Sequence, residues 1–208
     1  GGHITAKEGT VIHASGGTGI YAETGNIHLA GEVTANANRD NGSGVYAQAG
    51  EVSLSTISIS SSGVGISAYN GLTLNGVTIT NTADTGLGTV NGTLTINADV
   101  TATTAKSAAI LSRGRDQGGD IIINSGTITA TGGNTGIWAY GIAAMGNITA
   151  TESATINATG GTAIYSETGN INLACSVTAT AKHSEGYGIY AKAGTATLSQ
   201  VTVPQSFI

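Results

Sequence analysis

Apolar positions in this chain alternate with small or polar ones over short runs, and the runs return in the same order along its whole length. The segments GTGIYAETG, GSGVYAQAG, GVGISAYNG, TGLGTVNG, TGIWAYGIAAMG, GTAIYSETG and YGIYAKAG share one pattern. Each carries a small residue, a large aliphatic, a variable residue, another small one and a later glycine. That closing glycine falls at Gly25, Gly50, Gly71, Gly92, Gly119, Gly146, Gly169 and Gly194, at spacings of 25, 21, 21, 27, 27, 23 and 25 residues. Periods in this range belong to solenoid coils, which stack because no single repeat can bury its apolar face alone. Strict alternation predicts strands, with one residue turned in and the next turned out.

Three runs fit in each coil. The first turns inward the pairs Ile20 and Ala22, Val45 and Ala47, Ile66 and Ala68, Leu87 and Thr89, Ile110 and Ser112, Ile137 and Ala139, Ile164 and Ser166, and Ile189 and Ala191. The second does the same with pairs such as Ile27 and Leu29, Leu94 and Ile96, and Ile171 and Leu173. The third uses Val33, Ile57, Val77, Val100, Ile128, Ile156, Val177 and Val201, each with a partner two residues on. Three inward ladders predict an all-β fold, a three-faced parallel β-helix (β-solenoid) of about eight coils of 21–27 residues covering 1–208 as one segment. Stacked at ~4.8 Å per coil, the coils stand roughly 38 Å tall. Corner glycines and Asn-Gly pairs supply sharp turns. The one proline, Pro204, lies in the last coil, as expected of a residue that removes a ladder donor. Residues 3–17 enter the pattern already under way and without a cap, so the chain is expected to be an excerpt of a longer one.

Composition narrows the function classes. Seven Lys and Arg against twelve Asp and Glu give a net charge of −5, which repels a phosphate backbone, so no nucleic acid is expected as a partner. No apolar run reaches the ~18 residues of a membrane-spanning helix, and no membrane insertion by this segment is expected. The single cysteine, Cys175, permits no internal disulfide and reads as a buried small hydrophobe. Catalytic signatures are wanting: Asp40, Asp84 and Asp99 lie alone at corners, and only Asp116 and Asp120 are close in sequence. His3, His13, His28 and His183 fall on different faces or corners, so neither a metal nor another cofactor is expected. The reading is not that of an enzyme.

The outward residues carry the candidate sites. On the third face Thr78 and Thr80, Thr101 and Thr103, Thr129 and Thr131, Asn157 and Thr159, and Thr178 and Thr180 form an uncharged hydroxyl array. Threonine suits a pleated surface for structural reasons alone. The same array resembles the Thr-x-Thr face of β-solenoid ice-binding proteins, and it also suits pairing with a second copy of the chain. On the first face the expected outward column is Tyr21, Tyr46, Ser67, Gly88, Leu111, Trp138, Tyr165 and Tyr190, with Tyr140 and Tyr69 adding rings nearby. Such rings offer large contact area at small entropic cost, fitting a platform for sugar rings or a partner's apolar groups. One expanded corner, LSRGRDQGGD, clusters Arg113, Arg115, Asp116 and Asp120, a second candidate for ligand contact.

The blocks GTGIYAETGNIHL and GTAIYSETGNINL, with VTANA, VTITNT and VTATA after such coils, resemble the passenger regions of bacterial autotransporters and filamentous-haemagglutinin-type exoproteins. That resemblance implies a right-handed helix, a location outside the cell or on its surface, and work in adhesion, aggregation or biofilm. The expected partners are a host or matrix glycan or protein, or a second copy of the chain, held by many weak contacts acting together.

Overall fold

The computed structural model describes residues 2–61, 63–82, 84–114, 118–133 and 136–204, with residues 80–82 described by their backbone alone. Every regular element among them is a β-strand, and every strand pairing is parallel. The chain is a β-solenoid of about eight turns, built on an eight-stranded sheet and a fourteen-stranded sheet. The eight-stranded sheet is the first ladder, from Ile20–Ala22 to Ile189–Ala191. The larger sheet holds the second and third ladders together.

The inward pairs stack on like residues one turn away. Val52 pairs with Leu72, Leu72 with Leu94, Leu94 with Ile121, Ile121 with Ile148 and Ile148 with Ile171. Nearly all of them are fully buried, so one continuous aliphatic column fills the interior of the solenoid. At ~25 cal/mol per Å² of apolar surface this column is the main term favouring the fold. Inward hydroxyls at Thr89, Ser112 and Ser166 interrupt it on the first ladder, and each is satisfied. Thr89 Oγ1 and Ser112 Oγ lie 2.8 Å apart, and Ser166 Oγ donates to the Gly146 carbonyl at 2.7 Å while accepting from Gly169 N–H at 3.1 Å. Among the described residues no buried side-chain nitrogen or oxygen lacks a partner, as burial requires.

The second and third runs are not always separate strands. Ile27–Ala37, Val52–Ser61 and Ile171–Ala181 pass through both ladders, with a register shift between Leu29 and Glu32 and another between Leu173 and Ser176. The corner residues decide the difference. Where small non-amide residues such as Ala174 and Cys175 occupy the corner, the strand bends and continues, and Cys175 faces the core. Where asparagine opens the corner the strand stops. Asn97 Nδ2 donates to Asn75 Oδ1 at 3.0 Å and Asn124 Nδ2 to Asn97 Oδ1 at 2.8 Å, an amide ladder parallel to the stack. The corner after the closing glycine has its own ladder. Asp120 Oδ1 accepts from Asn147 N–H at 2.6 Å, Asn147 Oδ1 from Asn170 N–H at 2.9 Å, and Asn170 Oδ1 from Thr195 N–H at 2.9 Å.

One turn is registered differently from the expectation. In TGIWAYGIAAMG the inward residues are Ile142 and Ala144, not Ile137 and Ala139, because the strand is Tyr140–Ala144 and Ile142 pairs with both Ile110 and Ile164. Ala143 therefore takes the outward place, and Trp138 sits in the turn before the strand. The distance from the inward aliphatic to the closing glycine varies between turns. It is five residues in turns such as Ile20 to Gly25 and Ile164 to Gly169, and four from Ile142 to Gly146. The inward Ile110 lies nine before Gly119 just as Ile137 lies nine before Gly146, so pairing with the neighbouring turns decides between Ile137 and Ile142.

Glycine at the corners answers to contact as much as to conformation. A Cβ on Gly161 would lie 1.8 Å from the Gly136 carbonyl oxygen, and one on Gly186 equally close to that of Gly161, whereas a Cβ on Gly136 meets nothing within 4 Å. Gly161→Ala is therefore expected to lower unfolding free energy by at least about 2 kcal/mol. Gly136→Ala is expected to change it by no more than about 0.5 kcal/mol. Urea unfolding of the two variants beside the parent chain checks the contrast.

Candidate functional site

The outward face of the eight-stranded sheet carries two ring groups with a groove beside the first. Because successive strands pair in register, Tyr165 lies beside Tyr190 and Tyr21 beside Tyr46 one turn away. Between these pairs the column reads Ser67, Gly88, Leu111 and Ala143. At the far end the rings are linked. Tyr140 and Tyr165 are stacked with centroids 4.8 Å apart, Tyr165 and Tyr190 are tilted at 5.8 Å, and Tyr187 is stacked on Tyr190 at 4.5 Å. Trp138 meets Tyr140 edge-on at 6.5 Å. Five side chains thus form one continuous aromatic array over three turns.

Its exposure is uneven. Trp138 is 68 % and Tyr187 52 % exposed, whereas Tyr165, expected as a contact ring, is 7 % exposed. Tyr140 and Tyr190 cover it from either side, so Tyr165 holds the array together and the presented surface lies at its ends. Tyr187 escaped notice in the sequence because it lies ahead of the alternating run, in the corner before Gly188. The Tyr165 hydroxyl donates to Glu167, which also pairs with Lys192. Burial, with the Glu167 carboxylate nearby, pushes the Tyr140 phenol up to about 12. Burial first, and then the bond to Glu167, raises Tyr165 as well. Hydrogen bonds from Lys192 and Tyr165 hold Glu167 below the ordinary carboxylate range.

The groove occupies the small-residue stretch of the column. A cavity of about 180 Å³ is floored by Ser67, Gly88 and Leu111, with Asp84 and Thr85 on the side where the chain enters the strands and Arg113 where it leaves them. A second cavity of about 620 Å³ adjoins it through Val64 and Ser67 and reaches Tyr46 and Tyr21. Gly88 is what keeps the floor low, and its place is fixed by packing, since a Cβ there would lie 2.5 Å from the Leu111 carbonyl oxygen. Arg113 is thereby set beside this groove; Arg115 and Asp116 lie outside the described residues, and Asp120 is engaged in the corner ladder.

On the third ladder Thr78, Thr101, Thr129, Asn157 and Thr178 pair in one unbroken column. Beside it Thr103, Thr131, Thr159 and Thr180 form another. Thr80 pairs with Ser60, and a register shift falls between Ala102 and Thr104 where that strand meets its neighbour, so the second column is divided there. The second ladder adds outward residues Ser53, Thr73, Thr95, Ile122 and Thr149, which extend the polar surface beyond the third run. Among the described residues no three His, Cys, Asp or Glu side chains are grouped to hold a metal ion. No family model, no curated protein and no solved structure matches this chain.

Raised phenol pKa values make alkaline stability a readout of the array. The native state retains the Tyr140 proton after an unfolded phenol has lost it near pH 10, so stability is full below about pH 10 and falls as pH rises toward about 12. Tyr140→Phe should flatten that decline, and urea unfolding at a series of alkaline pH values measures it. An unchanged slope would mean that the ring is not held as described.

Proposed function

We propose that this chain is a binding segment of an exported bacterial surface adhesin, a non-enzymatic part that works by repeated weak contacts along a rigid stack. The observation that carries the reading is the five-ring array, anchored by a buried tyrosine and open to solvent at Trp138 and Tyr187. Aromatic anchors held rigid before contact lose little entropy on binding. A stack that repeats such sites along a longer fibre multiplies them by avidity. The proposed partner is a host or matrix glycan or protein, met outside the cell. Likeness of the GTGIYAETGNIHL and GTAIYSETGNINL coils to autotransporter and filamentous-haemagglutinin-type passengers supports the same reading, as does the solenoid architecture. A right-handed three-faced helix is part of that proposal.

A second reading is favoured by the columns through Thr101 and Thr129 and through Thr103 and Thr131, whose hydroxyls repeat at the inter-strand spacing. Such a surface suits ordered water, as in an ice-binding solenoid, or the same face of a second copy. The division of the column beside Thr80 shortens the regular lattice and places this reading behind the first.

Binding of the purified segment to host cells and matrix polysaccharide tests the proposal. Trp138→Ala and Tyr187→Ala should each weaken it by about 5- to 30-fold, the range of an aromatic anchor, while Thr103→Tyr leaves it unchanged. Ice-recrystallisation inhibition lost in Thr103→Tyr and Thr131→Tyr would instead establish the ice-binding reading. Clumping abolished by glutamate at Thr101 and Thr129 would assign that face to self-association.

A further inference from the structure

We infer that the groove between Tyr21 and Arg113 is a separate binding site for a neutral, hydroxyl-rich oligosaccharide laid along the stack. The inference does not rest on the adhesin reading or on the ring array, which occupies other turns.

Size and shape come first. The groove follows the outward column from Tyr21 through Tyr46, Ser67 and Gly88 to Leu111, five strands in register. Four inter-strand steps give a length of about 19 Å. Its inner cavity of about 180 Å³ is smaller than the ~300 Å³ at which pockets for drug-sized ligands begin. It suits one ring of a chain whose neighbours continue into the adjoining cavity of about 620 Å³.

Charge then selects the class of ligand. Asp84 and Arg113 both line the inner cavity, and one lies before the first-ladder strand of its turn and the other after it. Among the described lining residues their charges cancel, which favours neither an anion nor a cation. What they offer together is directional: a carboxylate that accepts two hydroxyl protons and a guanidinium fork that donates to hydroxyl oxygens. Vicinal hydroxyls match that pair. The Leu111 and Val64 side chains and the Tyr46 ring supply apolar surface for the C–H faces of a sugar. Thr85, Thr18 and Asn41 add polar groups along the entry side.

A peptide fits less well. Main-chain groups of these strands bond along the stack to the turns on either side, so the face presents no free strand edge for an extended peptide to pair with. Hydrolysis is not proposed, because Asp84 is the single carboxylate among the described lining residues and glycoside cleavage commonly uses two.

Isothermal titration of the chain with cellotetraose and maltotetraose, against tetragalacturonate as the acidic control, tests the inference. At least one neutral tetrasaccharide should bind and tetragalacturonate should bind at least tenfold more weakly. Arg113→Ala and Asp84→Asn, both at exposed positions, should each weaken the neutral sugar at least tenfold. Ser67→Tyr should abolish its binding, since the added ring fills the groove while packing against Tyr46 as Tyr21 does. Trp138→Ala should leave this binding unchanged, which separates its outcome from that of the ring array. Failure of both neutral sugars to bind, preference for the acidic one, or full binding by Arg113→Ala or by folded Ser67→Tyr would overturn it.

Discussion

Parallel hydrogen bonding between turns fixes each residue at one inter-strand spacing from its counterpart in the next turn, and the rest of the molecule follows from that constraint. It turns a periodic sequence into columns. Aliphatic positions become the continuous core, asparagines become amide ladders, and corners where backbone meets backbone accept only glycine. Surface chemistry obeys the same rule. A tyrosine at one outward position becomes half of a ring pair only because the next turn puts another tyrosine beside it.

Most of the interior was legible in the chain because burial and alternation speak the same language. Ile66, Leu94, Ile171 and Val177 are each read as inward from their spacing and each is buried. The exceptions have physical reasons. In TGIWAYGIAAMG two Gly-Ile steps compete, and pairing with Ile110 and Ile164 in the neighbouring turns, rather than local alternation, selects Ile142. The merging of second and third runs was hidden because a corner's sharpness depends on whether its side chain can bond along the stack, which Asn75 does and Ala174 does not.

The candidate sites were less legible. Exposure of an outward ring depends on its neighbours one turn away, so Tyr165 reads as a contact residue in sequence and is covered in the fold. The groove has no motif of its own. It exists because two residues with little or no side chain, Ser67 and Gly88, fall in neighbouring turns between Tyr46 and Leu111. A site of this kind is defined by what is missing from a column, and that can be seen only once the columns are aligned.

The corner-to-corner path of the chain also sets its mechanical character. Hydrogen bonds between turns lie along the stack, while the covalent chain circles around it. Tension applied through the chain ends therefore peels one turn at a time instead of loading all rungs together. Each turn of 21 to 27 residues that comes away shortens the stack by about 4.8 Å and releases roughly 70–90 Å of extended chain. The remaining turns keep their register and their surface. The solenoid thus behaves as a spool, lengthening greatly under load while the turns still wound keep their faces intact.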